Sequence, residues 1–388
     1  MSKTQLHLLL LIFNLSVTLS FFSCRTDGDD IIPPTPTPVT PGEEGHIKGF
    51  FLLNEGNMGS NKASLDYFDY ELGVYYKNIF PQQNPNVVKE LGDVGNDIQI
   101  YGNKLYAVIN CSHLVEVMDV NTAKHIATVS VPNCRYIRFD KGFAYVTSYA
   151  GPVLIDPNAR LGYVAKIDTA SLSVVDTCVV GYQPEEMVIR DNKLYVANSG
   201  GYRVPEYDNT VSVIDLDLFK EIKKITVAIN LHRMKLDNYG NIYVSSRGDY
   251  KNIHSNTYII NRNDIVSDNL KLPASNLTLC GDSLYVYSTE WSHTTGKNSI
   301  SFAIVNTRTK SIVSRSFITD GTDKTIEVPY GIAVNPETRE IFITDAKNYV
   351  TPGSLFCFGP DGKKKWEVIT GDIPAHIVFS RKKLTIYN

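Results

Sequence analysis

The sequence predicts an all-β fold, a seven-bladed β-propeller of four-stranded antiparallel blades, on three observations. A short strand pattern, clearest as Leu/Ile-Tyr-Val, recurs at intervals of roughly 40 to 57 residues along the chain. Each copy follows a tight turn rich in Gly, Asn and Asp, the chemistry of β-hairpins. Aromatic residues are abundant, with 23 Tyr and 16 Phe, while long amphipathic helical patterns are missing. A β-helix would repeat at shorter intervals, and a sandwich would not repeat this often.

The first segment, 1–23, reads as a leader. Lys3 supplies a small positive region, an apolar run spans 8–22, and Phe21-Phe22-Ser23-Cys24 ends it. This ending resembles a bacterial lipobox, in which cleavage falls before Cys24 and its thiol is lipidated. An ordinary signal peptide or a membrane anchor is the alternative, but the run is short for a transmembrane helix. Residues 24–45 follow as an acidic patch (Arg-Thr-Asp-Gly-Asp-Asp) and a Pro-rich stretch, IIPPTPTPVTPGEEG. Prolines at that density favour an extended semi-rigid stalk, which at about 3.1 Å per residue reaches roughly 40 Å. The propeller is expected over 46–388.

Seven copies of the marked strand can be read in order. Gly49-Phe50-Phe51-Leu52-Leu53 opens the series, followed by Leu105-Tyr106-Ala107-Val108, Phe143-Ala144-Tyr145-Val146 and Leu194-Tyr195-Val196. Ile242-Tyr243-Val244, Leu284-Tyr285-Val286 and Ile341-Phe342-Ile343 complete it. The following strand recurs as Val115-Glu116-Val117-Met118-Asp119, Val164-Ala165-Lys166-Ile167-Asp168 and Val211-Ser212-Val213-Ile214-Asp215, with looser copies later. The chain enters at the second strand of a blade. Its late segment Ile373-Pro374-Ala375-His376-Ile377-Val378-Phe379 matches an innermost strand, so it is expected to complete the first blade and close the ring. Residues 381–388 either add a strand or pack outside.

Turns between first and second strands, and between third and fourth, are short and polar. The loops after the second strands and the connections between blades lie on the opposite face. That face gathers aromatic, basic and amide residues, a composition suited to gripping a large amphipathic ligand or a protein. Its expected ligand-binding residues are Asn57, His113, Arg135, Tyr149, Tyr202, Arg203, Tyr207, His232, Arg233, Arg247, Tyr250, Trp291, His293, Tyr330, Asp345 and Tyr349. Asn133, Gln183 and Glu185 lie on the same inter-blade connections. Some of these aromatics are expected only to pack their own loops.

Several chemistries are weakly supported. A net charge of -3 argues against a nucleic-acid binder. No GxSxG, HExxH, P-loop or EF-hand pattern occurs. Glu55, Asn198 and Asp345 each follow a second strand and could converge on the axis as a calcium site, but separate solvated or loop-capping roles are the simpler reading. His113, His232, His254, His293 and His376 lack any metal-ligand spacing. Gly200-Gly201 follows a strand but precedes no helix, so it is no nucleotide motif. Beyond Cys24 the chain has Cys111, Cys134, Cys178, Cys280 and Cys357 without a CxxC pair. Cys111 and Cys134 fall in neighbouring blades on one face, and either a disulfide or two thiols would suit.

The chain resembles the YncE-like seven-bladed propeller lipoproteins of Bacteroidetes over nearly all of 46–379. The motifs carrying the resemblance are FLLNEGN from Phe51 with ASLDYFD from Ala63, PYGIAVNP from Pro329, ITDA from Ile343 and GDIP from Gly371. Within that family it is most similar to the BtuG-type surface lipoproteins. The resemblance implies a protein that is not an enzyme. It would bind cobalamin or related corrinoids as ligand rather than cofactor and pass them to a TonB-dependent outer-membrane transporter. It implies a monomeric domain, attached by its lipid to the outer membrane and facing the exterior. The acidic patch after Cys24 resembles the export signal of such lipoproteins. A surface module for a glycan, peptide or protein, and a metal-dependent propeller hydrolase, are the alternatives.

Overall fold

Apolar and aromatic strands separated by Asx turns build the sheet one hairpin at a time. In the hairpin joining Pro184–Arg190 to Lys193–Asn198, Asp191 and Asn192 both take positive φ (49 and 59), as a two-residue hairpin turn demands. Five of the seven third strands end in Asp or Asn, whose side chain caps the next turn. Asp69 accepts from the N–H groups of Glu71 and Leu72, Asp168 from Ala170 and Ser171, and Asp215 from Asp217 and Leu218.

The computed structural model describes residues 35–39, 45–87, 90–292 and 297–386. They form seven antiparallel sheets: six four-stranded, and a five-stranded first sheet. The inner strands are, from blade one onward, Pro374–Ser380, Gly95–Tyr101, Cys134–Asp140, Pro184–Arg190, Leu231–Leu236, Asn276–Cys280 and Pro329–Val334. Each packs beside the inner strands of its two neighbours, so the order is a closed ring. Closure is made by Pro374–Ser380 pairing with Gly49–Asn54, as the sequence predicts.

The core is not central. One apolar layer lies between each pair of neighbouring blades, as where Tyr145 and Val164 of blade three meet Met187, Val196 and Ile214 of blade four. Second strands are therefore covered on both faces, which explains their runs of buried Leu, Ile, Val and Tyr.

Two local features differ from the sequence reading, and the tail takes one of its two alternatives. Thr37–Pro38, expected in a free stalk, pairs with the outer strand Val74–Tyr76 of blade one, where proline costs no ladder bond because it sits on the sheet edge. The loops after second strands are not uniformly long. Blade six carries a hairpin of two ten-residue strands, Ser283–Ser292 and Lys297–Asn306, and blade two makes the tight connection 110–113. The tail adds no strand within its described residues; Leu384 buries its side chain against blades one and two. Segment 1–34, with the leader and Cys24, lies outside the described residues, as do 40–44 and His293. Among the described residues no helix is long and apolar enough to cross a membrane.

Candidate functional site

The site is built by bulges in the inner strands. In six of the seven blades the inner strand carries one residue more than its partner near its start, a register shift absent only from blade six. A bulge breaks the strict alternation of side chains and re-aims them. The bulged residues include Arg135-Tyr136, Glu185-Glu186 and His232-Arg233. In three of these blades a hydroxyl on the adjacent second strand satisfies an N–H that the bulge frees. Thr147 Oγ1 accepts from Tyr136 N at 3.0 Å, Ser245 Oγ from Arg233 N at 3.0 Å, and Thr344 Oγ1 from Gly331 N at 2.6 Å.

Two ionic layers result. In the first, the fully buried Glu185 carboxylate binds Arg135 Nη2 at 3.2 Å, Arg247 Nη1 at 3.3 Å and the Tyr149 hydroxyl at 2.7 Å. Arg135 also lies over the Tyr149 ring, 4.9 Å from its centroid, and Tyr149 meets Tyr202 edge-on. Burial alone would raise the Glu185 pKa, but Arg135, Arg247 and the tyrosine outweigh it and hold the carboxyl below its usual range. In the second layer Glu186 binds Arg138 at 2.5 Å, Lys235, and Met234 N at 2.9 Å. Asp97 binds Arg138 at 2.8 Å and Ile137 N at 3.0 Å. Burial opposes ionisation of Glu186, yet Lys235 and Arg138 bring its pKa down to about 2. Glu186 and Asp97 each accept a backbone N–H from the next blade, so this layer also fastens blades together.

Above this floor a cleft of about 790 Å³ opens between blades five, six and seven. His232, Arg233 and Arg247 line one side, Tyr287 and Glu290 another, and Tyr330 with Tyr349 the third. Tyr330 donates its hydroxyl to Glu55 at 2.8 Å and meets Tyr349 edge-on at 6.0 Å between centroids. His376 Nε2 lies 3.4 Å from Glu55 without hydrogen-bond geometry. His232 is bonded to the Tyr136 hydroxyl at 3.1 Å. Burial, reinforced by Arg247, Arg233 and Arg135, puts its pKa well below 6.5, so it is neutral at pH 7. Tyr250, 65% exposed, and Tyr349, 42% exposed, stand at the mouth.

Of the residues expected to bind ligand, the fold brings His232, Arg233, Arg247, Tyr250, Tyr330 and Tyr349 to this cleft, with Arg135, Tyr149 and Tyr202 joined to it through Glu185. Tyr207, whose pKa is raised chiefly by burial, lies near Tyr250 and Asp249. Others have different work. Arg203 bonds the carbonyls of Pro157 and Glu206 and stacks 3.7 Å over Tyr182, packing its own loop. Asp345 is a turn cap, accepting the N–H groups of Glu327, Val328 and Lys347. Asn57 closes a turn onto Ser60. His113 accepts Asn133 N and lines a separate, shallower hollow of about 450 Å³ with Met58 and Cys111. Trp291 belongs to the long hairpin of blade six.

Two questions left open by the sequence are answered, the first in favour of separate capping roles. Glu55, Asn198 and Asp345 do not converge on a cation. Asn198 is spent on Gly181 N, Thr210 and Ser212, Asp345 on its turn, and Glu55 on Tyr330. Among the described residues no three His, Cys, Asp or Glu side chains come together as a metal set. Cys111 and Cys134 are not bonded to each other; the Cys134 thiol points to the carbonyls of Ile109 and Leu114. Glu185 and Glu186, which organise the floor, were not among the expected binding residues. Their signal was the hydroxyl residues Thr147, Ser245 and Thr344 inside otherwise apolar second strands, which mark where neighbouring inner strands bulge.

The family model described as "Domain of unknown function (DUF5074)" matches residues 48–357, and the chain belongs to that family. Its fold is similar to that of a quinonprotein alcohol dehydrogenase-like protein from Bacteroides thetaiotaomicron VPI-5482. The two are 15% identical over 87% of this chain and 79% of that one, with a TM-score of 0.54. A functionally unknown protein from Desulfotomaculum acetoxidans DSM 771 is 11% identical over 86% of this chain and 99% of its own, with a TM-score of 0.58. Kuenenia stuttgartiensis hydrazine synthase is 17% identical over 69% of this chain and 77% of that one, with a TM-score of 0.55. At these identities the likeness is one of fold alone, the β-propeller. No curated protein matches the sequence.

Proposed function

We propose that this DUF5074 propeller is a binding protein rather than an enzyme. Its cleft over blades five to seven would take a large amphipathic ligand, a corrinoid, for delivery to a TonB-dependent outer-membrane transporter. The observation carrying the reading is the cleft itself. Its volume of about 790 Å³ is within the range of small-molecule sites, roughly 300–1,000 Å³. Exposed tyrosines wall it, and a prebuilt ionic floor with satisfied carboxylates lies beneath. Tyrosine faces suit stacking on a macrocycle, and basic and hydroxyl groups suit its amide rim. The corrinoid and the transporter come from the resemblance to BtuG-type lipoproteins. Attachment to the outer membrane through a lipid on Cys24, facing the exterior, comes from the lipobox.

Titrating the intact protein with cobalamin and with cobinamide, followed by corrinoid absorbance, tests the ligand. Saturable binding in the micromolar range or tighter, weakened by Tyr349→Ala, is expected. Absence of any spectral change at micromolar corrinoid would sink this reading. Radiolabelled palmitate should label the wild-type chain in cells and leave Cys24→Ala unlabelled; equal labelling would remove the anchor.

A further inference from the structure

The cations and carboxylates around the axis do not balance. Arg138 and Lys235 are matched by Asp97 and Glu186, and Arg135 with Arg247 share Glu185. Arg233 is left over. Only 8% exposed, it makes no ion pair among the described residues, and its buried Nε has no hydrogen-bond partner. Its contact with protein is the Tyr136 ring, 5.3 Å away, and its side chain lines the cleft. Glu186 and Glu55 lie near enough to favour its charge, but neither forms an ion pair with it: Glu186 is bound by Arg138 and Lys235, and Glu55 accepts from the Tyr330 hydroxyl. At the rim Lys251 and Glu290 carry opposite charges and cancel. Isolated buried charges are costly unless paired, and an arginine facing a cavity presents several donors in a fixed fork. That fork matches an oxyanion with two equivalent oxygens.

We infer that the floor of the cleft is an oxyanion subsite, in which Arg233, with Arg247 beside it, receives a phosphodiester or carboxylate group of the ligand. The inference rests on the cleft being the ligand site, and it adds that the ligand is anionic at its buried end. His232 is neutral and bonded to Tyr136, so it contributes shape rather than charge.

Two titrations of the intact protein separate this inference from the corrinoid reading. The first compares cobalamin, which carries a phosphodiester, with cobinamide, which lacks it. Arg233→Met should weaken cobalamin binding about 10–100-fold, the worth of a charge-assisted hydrogen bond, and leave cobinamide binding unchanged. Equal losses for both, or no loss for cobalamin, would overturn the subsite. The second uses inorganic phosphate against chloride at matched ionic strength, read as a shift of the thermal midpoint. A rise in the wild type that Arg233→Met abolishes and Arg233→Lys partly keeps supports the subsite even if no corrinoid binds. No rise in the wild type, or the same rise in Arg233→Met, overturns it. Methionine fills the same space without an unpaired charge, so the variant should melt no lower than the wild type.

Discussion

Replacing Glu185 by glutamine should destabilise the propeller by about 3–5 kcal/mol, because it strands two buried cations. The wild-type carboxylate lies 3.2 Å from Arg135 and 3.3 Å from Arg247, with those side chains 14% and 25% exposed. At an effective dielectric constant near 20, each contact supplies about 4–5 kcal/mol of attraction before desolvation is counted. Desolvation of the three groups offsets most of that, so the intact triad is worth little net. Removal of its one anion is different: the cations stay buried and repel. Glutamine keeps the shape and one acceptor for Tyr149, which isolates charge from packing. Urea unfolding followed by tryptophan fluorescence gives the loss as a lower midpoint at an unchanged slope. Adding Arg247→Met to Glu185→Gln should restore roughly half of the loss, since one stranded cation is gone. A single mutant within 1 kcal/mol of the wild type would refute the reasoning, as would a double mutant no better than the single.

Three further outcomes are expected. His232 has its pKa depressed by burial, so the folded state binds fewer protons than the unfolded one below pH 6.5. Its contribution is therefore full above that pH and is lost on acidification at about 1.4 kcal/mol per pH unit, until the folded pKa is reached. His232→Gln should flatten that slope in urea midpoints at pH 7.5, 6.5 and 5.5, and an unchanged slope would contradict the burial argument. Thr147→Val removes the acceptor for Tyr136 N and the donor to the Glu185 carbonyl, and should cost about 1–3 kcal/mol, against much less for Thr147→Ser. Tyr349→Ala, at a position 42% exposed, should change the unfolding midpoint by less than about 1 kcal/mol while weakening cobalamin at least tenfold. A stability loss without an affinity loss would mark this tyrosine as packing rather than contact.

The fold was legible because its determinants are local. Asp69, Asp168 and Asp215 cap the turns that follow their strands, and Asp191-Asn192 can take the positive φ of a tight hairpin. Neither depends on a distant partner. The site was legible only in part. Position after a second strand or before an inner one correctly grouped Arg247, His232, Arg233 and Tyr330 on one face. It also swept in Asp345 and Arg203, whose partners are set by loop conformation. Trp291 was placed in a loop, yet the run 283–292 contains no Gly or Pro to stop a strand, and the hairpin simply continues. Strict alternation sends Glu185 and Glu186 to opposite faces, and only the bulge between Pro184 and Met187 reconciles them with the axis.

That bulge also explains why the floor is ionic. A bulge at the start of an inner strand breaks the alternation and re-aims two consecutive side chains, here Glu185 and Glu186. Apolar side chains there would form a patch at the base of an open cleft, free to collapse on any greasy surface. Paired charges of fixed partner, drawn from blades two to five, instead set a floor whose shape is decided before the ligand arrives. A ligand meeting such a floor orders little of the protein, which removes one of the main costs of binding. The same rigidity makes a single unmatched cation informative. In a flexible surface Arg233 could turn to water, but here its backbone is latched by Ser245 and its side chain is walled by Tyr136. Its charge, offset by Glu186 and Glu55 but directly paired with neither, is then a property of the fold, and the cleft it lines is where a direct partner would sit.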